Sequence, residues 1–220
     1  MRYVRPSILE QEFLDADSSV IDYGHRWARD PDDDAYSVTA HPERFAPLHV
    51  VAHALIEHLG AGAPRVGVAL RIDPTTVGAA PIEFTLTPFP GVLLRSGEGF
   101  FARFPFCGCD ARDESVPRLI DELEETVLAI VAGGLEETAR GYRLELASGR
   151  RGTHRDPNDH PPGLTDAQGR ALTAQNWAPW PPSSTDKSTI WFAKDSRKLV
   201  KMSAVLSEMG GATLTTELIP

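Results

Sequence analysis

Apolar residues recur at helical spacing in two stretches of the chain and alternate with polar ones in several shorter stretches. In the first helical stretch Leu48, Val51, Ala52, Leu55 and Leu59 share one stripe, Pro47 suits the first turn, and Gly60 and Gly62 end the run. In the second, Val116, Leu119, Ile120, Leu123, Val127, Ile130 and Val131 form a longer stripe. Ser115 is placed to act as its N-cap, and Gly133-Gly134 supply the stop. At ~1.5 Å per residue this helix is about 26 Å long, enough to cover one face of a four-stranded sheet.

Strand patterns lie between and after these helices. Val66, Val68, Leu70 and Ile72 alternate up to Asp73-Pro74, and residues 82–87, 92–95 and 100–104 follow, separated by Pro90-Gly91 and by the turn at 96–99. Such short joins imply antiparallel neighbours, because a parallel crossover needs about a dozen residues. Residues 141–147 add one more strand, with Tyr142, Leu144 and Leu146 on one side. The pattern predicts an α+β fold: an antiparallel meander with two main helices packed on one face, plus an extended C-terminal arm.

Outside this centre the patterning weakens, and four segments result. Residues 1–22 are acidic, with Ile8, Leu9, Phe13 and Leu14 predicting a short helix after Pro6-Ser7. Residues 23–150 hold the α+β domain. Residues 151–186 form a Pro/Trp-rich arm without sustained periodicity, apart from one predicted helical turn at 166–172. Residues 187–220 differ in composition. Lys187, Lys194, Lys198 and Lys201 are the chain's lysines, and Met202 and Met209 its methionines beyond the first residue. In this extension the spacing predicts a strand at 189–193, a helix at 199–209 and a strand at 212–219.

Composition narrows the function. A formal charge of −9 over 220 residues argues against nucleic acid or an anionic membrane as partner, since both reward a basic surface. No apolar run approaches the ~20 residues of a membrane span, and the N-terminus turns acidic before any signal-peptide core. Two cysteines one residue apart cannot staple a domain, so a reducing cytoplasm is the expected compartment.

The candidate chemistry centres on residues 104–115, which carry Cys107 and Cys109 in a loop punctuated by Pro and Gly. Two thiolates are half of a structural zinc set, which needs four ligands. His49 and His53, or His154 and His160 within 153–160, are the residues that could complete it. The alternative is that the thiols are packing atoms at a bend. A redox role fits poorly, because the familiar dithiol spacing is Cys-x-x-Cys. His49, His53 and Glu57 stand at i, i+4 and i+8, with the ends ~12 Å apart along the helix and too far for one ion. They are read as a partly wet stripe, with His53 and Glu57 as an i,i+4 pair.

Other acidic groups are assigned to solvent. The aspartate run within 30–34 lacks the alternation, glycine and distal glutamate of a calcium loop. Residues 121–125 are expected on the open face of the long helix. Trp177 and Trp180, set among prolines, predict an arm that wraps its own domain rather than a peptide-docking segment. No Gly-x-Ser-x-Gly elbow, P-loop, Gly-x-Gly-x-x-Gly or His-Glu-x-x-His is present.

Three motifs together resemble one family. They are His41-Pro-Glu-Arg-Phe-Ala-Pro-Leu-His49 with its helix, Thr87-Pro-Phe-Pro-Gly-Val92, and Phe104-Pro-Phe-Cys-Gly-Cys-Asp-Ala-Arg-Asp-Glu114 with the helix and glycines that follow. The family is an uncharacterised bacterial domain of unknown function, found chiefly in high-GC Gram-positive bacteria and marked by a Cys-Gly-Cys-Asp-x-Cys-Asp-like loop. The resemblance covers residues 23–150 and takes in Trp177 to Pro182. Arg112 stands where the resemblance implies a third cysteine, and a cation there would repel a metal ion. The family brings no activity with it. The sequence therefore predicts a non-catalytic binding or accessory protein without a cofactor, contacting an unknown protein or a small ligand. The alternative is a zinc-dependent protein, such as a hydrolase, using Cys107, Cys109, His49 and His53.

Overall fold

The structure, a computed structural model, describes residues 3–9, 11–138, 141–149, 151–153, 175–181, 201–205 and 212–217. Helix α1 spans Pro47–His58 and buries Leu48, Val51, Ala52, Leu55 and Ile56. Helix α2 spans Val116–Val131 and buries Leu119, Ile120, Leu123, Val127 and Ile130. Both end in the same way. Gly60 and Gly133 take positive φ, and the following amide reaches back into the last turn: Ala61 N–H to Ile56 O, and Gly134 N–H to Ala129 O. Ser115 precedes α2 in extended conformation, but its hydroxyl makes no capping bond. Its backbone carbonyl accepts Leu119 N–H, the first hydrogen bond of the helix.

The meander is β1 Ala69–Pro74, β2 Ile82–Thr87, β3 Gly91–Ser96 and β4 Phe100–Phe104. Its registers are antiparallel throughout, pairing Ile72 with Ile82, Phe84 with Leu94, and Leu94 with Ala102. Leu70, Ile72, Ile82, Phe84, Leu86, Val92, Leu94, Phe100 and Phe104 turn inward and join the helix residues in one core. Arg71, Glu83, Arg95, Phe101 and Arg103 point to the other face, as the two-residue period requires. β1 starts three residues later than the alternation predicts. Gly67 takes φ +78° and donates to Leu86 O, a turn that leaves Val66 half-exposed outside the ladder.

Two further strands continue the sheet beyond β1. β10, Ala212–Glu217, pairs antiparallel with β1, and β9, Lys201–Val205, pairs with β10. The sheet order is β4-β3-β2-β1-β10-β9. The helix expected over 199–209 is thus replaced, within 201–205, by a strand. Pairing with a neighbouring edge outweighs a weak helical spacing that contains Ser203 and Val205. The segments 166–172 and 189–193 lie outside the described residues.

A second, four-stranded sheet was not legible from the alternation. Its order is β7-β6-β5-β8, with β5 Leu135–Thr138, β6 Gly141–Glu145, β7 Arg151–Thr153 and β8 Gln175–Asn176. α1 packs on β3 and α2, and α2 packs on β6, so the two helices together bridge the two sheets. The fold is α+β, as the pattern predicts, with more strands than it shows.

The N-terminal segment is not helical. Leu14 bridges Val20 in antiparallel fashion, and Leu9 is exposed. Tyr3 Oη donates to Glu124 Oε1 at 2.6 Å and Arg5 Nε to Glu124 Oε2 at 2.8 Å, which draws this segment out along α2. Among the described residues no helix is long and apolar enough to cross a membrane.

Candidate functional site

The chain leaving β4 turns at Pro105 and wraps one carboxylate. Three successive amides, those of Phe106, Cys107 and Gly108, donate to Glu114 at 2.7, 3.2 and 2.8 Å. This is an anion nest filled by the protein's own side chain. Gly108 has φ +78°, and a Cβ there would lie 2.7 Å from Phe89 Cζ, so the bend admits only glycine. The nest positions the two thiols. Cys107 is exposed, Cys109 is buried, and their Sγ atoms are 2.7 Å apart. Burial, and then the hydrogen bond with Cys107, push the Cys109 thiol above its ordinary pKa.

Asp110 next door is a second internal clamp. It is 4 % exposed, its Oδ1 accepts Ala40 N–H at 2.9 Å, and its Oδ2 lies 3.0 Å from Arg26 Nη1. Its backbone carbonyl accepts Trp27 Nε1–H at 2.9 Å. Asp113, at φ +47°, accepts Arg26 N–H at 2.7 Å. Beneath them Arg44 is buried, its guanidinium 3.8 Å from the Tyr23 ring centre and 4.3 Å from that of Phe45. Asp110 and Asp113 therefore hold the chain at Arg26, Trp27 and Ala40 in place.

The histidines stand apart from this arrangement. His49 Nε2 lies 3.0 Å from Gly91 O, and since a carbonyl only accepts, that nitrogen carries its proton. That nitrogen is closed to a metal, and Nδ1 keeps the lone pair of the ring. His53 is half-buried, and its pKa is lowered by burial and then by His49 nearby. The structure brings Cys107 to Cys109 and His49 to His53. Among the described residues, no three His, Cys, Asp or Glu side chains gather where they could hold a metal ion. His154 and His160 lie outside the described residues.

Two glutamates read as solvent-facing or overlooked in the sequence are buried staples. Glu124, on α2, is 6 % exposed and bound by Tyr3 and Arg5, which corrects the open-face assignment of 121–125 at this position. Glu137, on β5, is 1 % exposed and accepts the amides of Glu98, Gly99 and Phe100 together with Trp177 Nε1. The arm packs on its own domain as expected. Trp180 is buried, with Nε1 donating to Ala80 O at 2.8 Å and its amide to Val131 O.

One surface is not anticipated by the sequence pattern. Arg95 and Arg103 each place a guanidinium 5.6 Å from the Phe101 ring centre. Arg103 also stands 5.5 Å from the Phe106 ring, and Arg112 stands 4.6 Å from it. The result is a ladder, Arg95–Phe101–Arg103–Phe106–Arg112, running from β3 over β4 to the cysteine loop. A cavity of about 160 Å³ beside Arg71, Glu83 and Glu98 lies at one end, and one of about 530 Å³ beside His25, Asp113 and Arg118 at the other. The outward pair Phe101 and Arg103 was the available signal, but the cross-strand partner Arg95 needs the register.

Comparison with known proteins gives one match. A model described as a family of unknown function (DUF6226) matches residues 9–184. No curated protein and no solved structure matches the chain.

Proposed function

Because the chain belongs to DUF6226, a family of unknown function, we propose its role from its own residues: a non-catalytic binding or accessory protein. The observation that carries this reading is the commitment of three buried acids and of the half-buried Glu114. Asp110, Glu114, Glu124 and Glu137 each spend their oxygens on backbone amides, arginines, a tyrosine or a tryptophan of the same chain. A general acid or base needs an oxygen turned toward substrate, and these are turned toward the fold. In this reading the protein works in the cytoplasm, carries no resident cofactor, and meets a protein partner rather than nucleic acid or membrane. The exposed Cys107 thiol and the overall negative charge support those assignments.

The test is a panel of common hydrolase and redox substrates with the purified full chain. No turnover above buffer is expected, and turnover lost in a Glu114→Gln variant that still folds would overturn the proposal. Elemental analysis of protein purified without added metal tests the cofactor statement. Stoichiometric zinc would return the zinc alternative to first place.

A further inference from the structure

We infer that the Arg95–Phe101–Arg103–Phe106–Arg112 ladder and the adjoining edge of β4 dock an acidic, extended peptide segment of a partner protein. The inference rests on the binding role above and names the partner's chemistry. β4 is the outermost strand of the larger sheet. Among the described residues, its backbone makes no main-chain hydrogen bond beyond β3. Phe100 N–H points to that outer edge and is taken by Glu137. Strand alternation then puts the N–H and C=O of Ala102 on the same edge, ready for a further strand.

The side chains beside this edge select the strand. Arg95, Arg103 and Arg112 are exposed, and none has a carboxylate partner among the described residues. Glu83 stands opposite Arg95 across the β2–β3 pair, so the uncompensated positive charge lies at Arg103 and Arg112, on a chain whose net charge is −9. A stacked guanidinium has a covered face but free N–H edges, which suit bidentate carboxylates. An extended strand repeats its side chains on one face every ~6.8 Å, so acids at alternate positions would run along Arg103 towards Arg112. Nucleic acid fits less well. Phe101 and Phe106 are each flanked by two guanidiniums, so they offer poor stacking platforms for bases, and the overall charge repels a phosphate backbone.

The experiment is a fluorescence-anisotropy titration of the full chain with a labelled peptide alternating glutamate and valine. Binding that weakens about tenfold or more in Arg103→Glu, and weakens as salt rises, is expected. Arg103→Lys should retain only part of the affinity, and Arg65→Glu, an exposed arginine outside the ladder, should leave it unchanged. Hydrogen exchange at the Ala102 amide should slow when the peptide is added. Equal binding by Arg103→Glu would overturn the inference, as would equal binding of a lysine–valine peptide. An oligonucleotide that binds where the acidic peptide does not would overturn it too. Those results leave the wider binding role standing, because turnover or bound zinc, and not peptide affinity, decides that.

Discussion

Glu137 Oε1 lies 2.6 Å from the amide of Gly99, so one carboxylate of the second sheet holds the turn between β3 and β4 of the first. The same side chain accepts Trp177 Nε1–H at 2.8 Å and thereby fastens the arm as well. Removing it strands several buried donors, each worth ~1–3 kcal/mol. Glu137→Ala should therefore lower the unfolding free energy by about 3–5 kcal/mol in a urea titration. Glu137→Gln, which keeps one acceptor, should cost less.

Gly97 is coupled to that carboxylate. A Cβ at Gly97 would stand 2.5 Å from Glu137 Oε2, and its φ is +58°. Gly97→Ala should destabilise by ~1–3 kcal/mol from backbone strain and overlap together. In the Glu137→Ala background the overlap with the carboxylate is gone, while the backbone strain and the 2.9 Å approach to Trp177 Nε1 remain. A double-mutant cycle should then be sub-additive by at least ~0.5 kcal/mol.

Cys107 and Cys109 should react in sequence. Cys107 is exposed, whereas Cys109 is buried with its pKa raised, so little of it is thiolate until the pH passes the ordinary thiol range. Timed alkylation followed by peptide mass analysis should show Cys107 modified first and Cys109 lagging at neutral pH. Glu114→Ala, which releases three amides of the bend, should shorten the lag.

Trp180 closes the core from the arm. Trp180→Ala should cost ~3–5 kcal/mol. Trp180→Phe should cost about 1 kcal/mol, largely because Ala80 O loses its donor. Thermal unfolding of the two variants beside the parent measures the difference.

His53 and His58 both have pKa values lowered chiefly by burial. The unfolded chain then binds protons before the folded one as pH falls, so stability contributed by these groups is complete above the unfolded histidine value of ~6.5. It should decline as pH drops through their lower folded values. His53→Gln and His58→Gln should each flatten the slope of unfolding free energy against pH below about 6.5.

Much of the centre was readable from spacing. β2 and β4 fall on their predicted residues because Ile82, Phe84 and Leu86, and Phe100 and Phe104, alternate cleanly against one core. α2 was clear for the corresponding helical reason. β5 was hidden because only Leu135 of its four residues carries an apolar side chain, and its remaining burial is the carboxyl group of Glu137. Charge misled the reading in the same way at Glu124. A buried glutamate advertises itself only through donors far along the chain, and no local pattern records these. The ladder was half visible in Phe101 and Arg103; Arg95 joins it through register, and Phe106 and Arg112 join it through a bend.

Gly133 and Gly134 mark a crossing of three segments. A Cβ on Gly133 would stand 2.8 Å from Pro179 N, and one on Gly134 would stand 2.7 Å from Glu145 O. The helix end, the second sheet and the returning arm thus meet with no room for a side chain between them. A fragment cut at residue 150 would leave this crossing open and Val131 O without Trp180 N–H. Any piece intended to stand alone must carry the chain through Pro181, so the boundary that composition draws after residue 150 is not a place to cut.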